Sequence, residues 1–147
     1  MSAYQDLMVF QRETEALSQV AGRLGWDQET MMPRDAAPQR GEEMAAMETV
    51  LHARRTAPQV ADWLAKAETS GEVEVAQLRH IRRSFERSRK VPAKLASEIA
   101  RVMSRAQGHW ADAREADAFK AFAPGFKEAV SLKRERGAAL SVGGDVW

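Results

Sequence analysis

Ala3, Leu7, Phe10, Thr14, Leu17, Ala21 and Leu24 follow one another at alternating steps of four and three, a spacing that a helix gathers into one stripe. Gln11, Arg12, Glu13, Glu15 and Arg23 fall mostly outside it. Leu95, Ile99, Val102, Ala106 and Ala113 repeat the same steps, and Met103 and Trp110 widen that second stripe. Faces of this kind are stable only when covered, so the second helix is expected beside the first as a long neighbour. Nothing alternates with period two over a strand's length, and β-branched residues are scattered. The fold class is therefore all-α, a bundle of about six helices with two of them long.

Local signals divide the rest of the chain. Gly25 is expected to end the first helix, and Pro33 disfavours a helical Met32, so a turn or break belongs there. Asp35 can cap a second helix with Pro38 in its first turn and Met44, Met47 and Leu51 along a sparse apolar edge. Thr56 can cap a shorter third helix carrying Val60, Trp63, Leu64 and Ala67, closing near Ser70-Gly71. Glu72 to Lys90 reads as a fourth, with Val75, Leu78, Ile81 and Phe85 as its apolar edge. Pro92 starts a fifth, and a last helix from near Pro124 carries Phe126, Val130 and Leu140.

A chain of 147 residues suits a single helical domain, 1–147, and buries roughly 68–70% of its unfolded surface, enough for a core. With 22 basic against 21 acidic side chains it has no global field to steer polyanions or membranes. It has no cysteine, which fits a reducing cytoplasm. Neither a secretory signal nor a run of about 20 apolar residues is present, so no membrane partner and a cytoplasmic location are expected. The three histidines, His52, His80 and His109, lie far apart, and none is followed by Glu. No zinc site of the His-Glu-x-x-His kind can be assembled from them, and no catalytic or metal-ligating residue is assigned.

The densest word in the sequence is Leu24-Gly-Trp-Asp-Gln-Glu-Thr-Met-Met-Pro33. It resembles the segment that follows the first helix in the carboxypeptidase Taq family of metal-dependent carboxypeptidases. His109-Trp110 through Ala113-Arg114, Asp117-Ala-Phe119, Phe122-Ala-Pro124 and Ser131-Leu-Lys-Arg-Glu135 continue the resemblance in the same order, so that it covers nearly the whole chain. The resemblance implies an almost wholly helical enzyme several times longer, a homodimer, trimming peptides from their C-terminus. Zinc, sometimes replaced by cobalt, would sit on a His-Glu-x-x-His helix beyond Trp147. This chain would then be the N-terminal cleft wall or lid, without the catalytic metal domain, binding no cofactor and inactive alone. Its partner would be the remaining catalytic part of the same enzyme. The ending Gly143-Gly144-Asp145-Val146-Trp147 fits such a cut, since the aromatic wants a partner; folding back onto the bundle would satisfy it as well.

Within that word, Trp26, Asp27 and Glu29 are the candidates to reach the cleft or a domain contact. Trp26 would be an apolar wall with one donor, and Asp27 or Glu29 acceptors for it or for basic side chains. The competing reading is structural: Trp26 plugs the bundle end and Asp27 caps the following helix. Two further functions compete. The stripes could assemble between chains as a self-associating interaction module. Arg79, Arg82, Arg83, Arg87, Arg89 and Lys90, with Glu86 alone against them, could bind nucleic acid. Against that, residues 79, 82, 83, 87 and 90 are expected on one helical face, where long basic chains can solvate a bundle or pair with Glu42 and Glu43.

Overall fold

The computed structural model describes residues 2–141. Six α-helices follow in chain order: α1 (Ala3–Thr30), α2 (Ala37–Arg55), α3 (Pro58–Lys66), α4 (Glu72–Lys90), α5 (Ala93–Glu115) and α6 (Phe119–Leu140). One turn of 3-10 helix, Arg34–Ala36, leads into α2. Among the described residues there is no strand, as the missing period-two pattern requires. The two stripes lie on α1 and α5, 28 and 23 residues long. The ending at Trp147 lies outside the described residues.

α1 opens with a capping box that satisfies two backbone donors at once. The Gln5 amide donates to the Ser2 hydroxyl at 3.2 Å, and the Ser2 amide donates to the Gln5 side chain at 3.0 Å. Its stripe enters a first core of Leu7, Val60, Leu64 and Phe85, with Phe10, Trp63, Leu78 and Ile81 around it. Each fully buried Leu or Val contributes about 1.5–3 kcal/mol. Thr14 is buried in the same stripe because its hydroxyl is paired on both sides. It donates to the Phe10 carbonyl at 2.8 Å and accepts from Arg54 Nε at 2.9 Å. The Arg54 guanidinium lies 4.0 Å from the Phe10 ring centre, so the head of α2's last turn is fastened to α1.

Several local signals are overridden. Gly25 does not end α1, which runs on to Thr30. Glycine inside a helix costs about 1 kcal/mol against alanine, and contacts from α2 and α5, described below, hold the extra turn. Asp35 does not cap α2: it sits in the 3-10 turn, where the Ala36 amide reaches the Pro33 carbonyl at 3.0 Å and Pro38 has no N–H to satisfy. Thr56 does not cap α3. Its hydroxyl donates back to the His52 carbonyl at 2.8 Å, closing α2, and Ala57 precedes Pro58 at the start of α3. α6 begins at Phe119 rather than near Pro124, which lies inside it. Asp117 adopts φ 49°, a left-handed stop usually taken by glycine, and the chain re-enters a helix within two residues.

α5 does not run along α1 and meets only the end of that helix, through Gln28 and Ser104. It packs chiefly against α2 and α6, with Val91, Leu95 and Ile99 forming a second core under Leu132 and Leu140. The α2–α5 approach is close because α2 offers Gly41 and Ala45, both buried. A Cβ on Gly41 would stand 3.2 Å from Arg105 Nε and 3.5 Å from the Arg101 carbonyl. Glu42, expected opposite α4, instead clasps α5: Arg101 donates to it through Nε at 2.9 Å and Nη2 at 3.0 Å, and Arg105 adds a bond at 2.9 Å. The Arg101 hydrogen bond holds the Glu42 carboxyl below its ordinary range. Glu43 pairs with Arg40. The basic residues of α4 therefore have neither glutamate as partner, and they turn to different neighbours. Arg82 donates to the Leu64 carbonyl at 3.0 Å, whereas Arg83 and Arg87 turn into a groove with His80, Ser84 and Ser88.

Gly25 has no neighbour within 4 Å of where a Cβ would stand. Gly25→Ala is expected to stabilise the fold by about 0.5–1 kcal/mol and raise Tm by roughly 1–4 °C. A fall in Tm, read by thermal circular dichroism, would mean that α1 is not helical at this position.

Candidate functional site

The segment 24–33 is mostly the end of α1. Leu24 to Thr30 complete its last turns, the Met31 and Met32 amides both reach the Asp27 carbonyl at 2.9 Å, and Pro33 stops a further turn. Helix spacing sends Trp26 and Glu29 to one side and Asp27 and Gln28 to others.

Asp27 is taken up by α2. Its Oδ2 accepts from Arg40 Nη2 at 2.6 Å. Arg40 also donates through Nε to Glu43 Oε2 at 2.8 Å and through Nη1 to the Leu24 carbonyl. The Arg40 side chain is only 10% exposed, and its hydrogen bond with Asp27 raises its pKa above the ordinary arginine value, so the guanidinium stays charged at every working pH. Gln28 is taken up by α5: its amide Nε2 donates to the Ser104 carbonyl at 2.7 Å, and the buried Ser104 hydroxyl donates back to Gln28 Oε1 at 2.8 Å. Arg34, just past the segment, forms ion pairs with Asp112 and Glu115 of α5. Asp27 thus does not cap the following helix. It anchors the end of α1 to α2.

Trp26 does not plug the bundle end. It is 64% exposed, and its carbonyl accepts from the Thr30 hydroxyl at 2.7 Å. Glu29 is exposed as well, without a salt-bridge partner among the described residues. Met31, Trp110 and Phe119 are further large side chains left open. The contacts of Gln28 with Ser104 and of Arg34 with Asp112 put the end of α1 alongside the later turns of α5. One end of the bundle therefore presents aromatic and methionine side chains on a backbone that is pinned from two sides.

The histidines are not gathered. His52 faces the Val91 carbonyl at 2.8 Å, His80 stands on α4 and His109 on α5. Among the described residues no group of three or more His, Cys, Asp or Glu could hold a metal ion. No helix among them is long and apolar enough to cross a membrane. Sequence reasoning singled out Trp26, Asp27 and Glu29 but not Arg40, whose signal is slight: one arginine between Gln39 and Gly41 near the start of α2.

The pattern of the carboxypeptidase Taq (M32) metallopeptidase family matches residues 6–146. The chain belongs to that family. Thermostable carboxypeptidase 1 of Thermus thermophilus is 37% identical over 145 residues, covering 95% of this chain and 28% of that protein. Its namesake from Pyrococcus furiosus is 26% identical over 126 residues, 84% of this chain and 25% of that one. Among solved structures, a Pyrococcus furiosus carboxypeptidase in an apo-Mg structure superposes with a TM-score of 0.73 at 22% identity, over 99% of this chain and 30% of that one. Metallocarboxypeptidase 1 of Trypanosoma cruzi gives 0.70 at 26% identity, over 96% and 29%. This carboxypeptidase Taq chain spans under a third of the relatives it matches, corresponding to their N-terminal region.

Because Arg40 is recessed while Asp27 and Glu43 are partly solvated, its loss leaves partners that water can reach. Arg40→Met is expected to destabilise the fold by about 2–3 kcal/mol. Arg40→Lys is expected to recover less than half, since an ammonium cannot match a forked set of three acceptors. Urea unfolding of the three proteins reads the difference; an Arg40→Met variant as stable as the parent would show that the clasp contributes nothing.

Proposed function

We propose that this chain is the N-terminal helical wall of a metal-dependent carboxypeptidase, and that the catalytic metal is held by the part of the enzyme not represented in these 147 residues. The observation that carries this reading is the pinned, outward-facing end of the bundle. Trp26, Met31 and Phe119 are all large apolar side chains left exposed, and exposed apolar surface is what a contact with the rest of an enzyme would cover. In the whole enzyme Trp26 and Glu29 would meet the catalytic part or the substrate cleft, with Asp27 acting through Arg40 to position them. Shaping the cleft would govern which peptides enter and how closely water is excluded during hydrolysis. Zinc or cobalt as the metal, a homodimeric enzyme, peptides as substrates and a cytoplasmic location belong to the same reading. As a module in isolation the chain would use the same open face to self-associate, which the exposed aromatics favour.

The test is a graft. Residues 6–146 replace the matching region of the Thermus thermophilus relative, and metal-dependent release of C-terminal residues is followed for the graft and for this chain alone. The graft is expected to hydrolyse peptides, and the 147-residue chain to be inactive with either zinc or cobalt. Trp26→Ala in the graft is expected to lower kcat/KM about ten-fold or more, corresponding to about 1.4 kcal/mol, with the helical content unchanged. Hydrolysis by the chain alone, or a folded graft that is inactive, would overturn the assignment.

A further inference from the structure

Away from the Trp26 end, a groove of about 900 Å³ runs between α4 and α6 over α5. Its make-up inverts what helices usually turn toward one another. One face of α4 lines it with His80, Arg83, Ser84, Arg87 and Ser88, and α6 answers with Lys133 and Arg136. α2 adds His52 and the Glu48–Arg55 ion pair. The floor is aliphatic: Ile99 and Met103 of α5, flanked by Val91 and Leu140. Glu48 is the one carboxylate in the lining, and Arg55 already holds it at 3.3 Å. Among the described residues no carboxylate lies within ion-pair distance of Arg83, Arg87, Lys133 or Arg136. The chain as a whole is nearly neutral, so this concentration of charge is local. A cleft lined by one sign focuses its field and draws counter-charge.

Spacing narrows the occupant. Arg83 and Arg87 are one helical turn apart, about 6 Å along the axis at 1.5 Å per residue. An extended peptide returns to the same face every second residue, about 6.6–6.8 Å. Carboxylates at alternate positions could therefore meet successive cations on the walls while the intervening side chains rest on Ile99 and Met103. Single-stranded nucleic acid fits less well. Its sequence-tolerant binding relies on bases stacked against aromatic rings, and no Phe, Tyr or Trp lines the groove. Phosphates alone would leave the aliphatic floor without a partner.

We propose that the groove between α4 and α6 binds an extended acidic peptide segment, its carboxylates paired with Arg83 and Arg87 on one wall and Lys133 and Arg136 on the other, and its apolar side chains seated on Ile99 and Met103. This site is separate from the Trp26 end and does not depend on the peptidase reading.

The test uses the 147-residue chain and a fluorescent peptide of about eight residues, long enough to overrun the floor at 3.3 Å per residue, with Glu and Val alternating. Fluorescence anisotropy is expected to show binding that weakens with salt and vanishes when every Glu of the peptide is replaced by Gln. The paired variant Arg83→Glu/Arg136→Glu is expected to bind roughly ten-fold or more weakly, as loss of two charge contacts implies. Arg79→Glu/Arg134→Glu changes the net charge equally on the same two helices but outside the groove, and is expected to stay within about two-fold of the parent. Matching circular dichroism spectra establish that both variants fold. Equal losses in the two variants, binding of the Gln peptide, no binding of the Glu-Val peptide, or tighter binding of a single-stranded oligonucleotide of the same charge would each overturn the proposal.

Discussion

The guanidinium of Arg40 sits where α1 ends and α2 begins, and the geometry of the molecule follows from its three acceptors. By donating to Asp27, Glu43 and the Leu24 carbonyl, it joins a helix end to a helix interior across a sharp reversal. A charge so recessed is tolerated only when it is fully hydrogen-bonded, so the local conformation is tightly specified. Once α2 is fixed against α1, its small face of Gly41 and Ala45 is left to receive α5, and Glu42 meets Arg101 and Arg105 there. α5 then carries α6 on its other side through Leu95 and Ile99. Gln28 closes the circuit by bonding Ser104.

That circuit explains how much could be read from the sequence. The stripe through Leu7 and Thr14 gave α1's face because helical periodicity is local, and Glu72–Lys90 emerged with its observed bounds because Gly71 and Pro92 punctuate it. The end of α1 was misjudged because Gly25 sends a local signal, whereas the contacts that decide the matter come from Arg40 and Ser104, remote in sequence. α5's partner was misjudged for a related reason. Periodicity shows that a face must be covered but not by what, and the deciding detail was the close approach permitted by Gly41. The start of α6 was misplaced because Pro124 reads as the opening of a helix, whereas it lies inside one that begins at Phe119.

The candidate site was legible in part. Trp26, Asp27 and Glu29 stood out by their company in the sequence, yet the structure divides them: Asp27 turns inward to Arg40, while Trp26 and Glu29 remain exposed. The basic run of α4 was legible as charge but not as shape. Only the fold sends Arg83 and Arg87 into a groove shared with α6 and ties Arg82 to the end of α3. Family membership supplies the larger setting, a peptidase of which this chain spans a minor share.

What unites these features is that the last turns of α1 are rigid helix held from outside rather than a loop waiting for order. Native-state hydrogen exchange of the backbone amides of residues 24–30 tests this most directly, because local fraying and global unfolding differ in protection. Protection approaching that of the Leu7 and Leu64 amides is predicted for residues 26–30. Exchange there near the rate of an unstructured chain would contradict the account, since nothing would then hold Trp26 and Glu29 in a fixed pose.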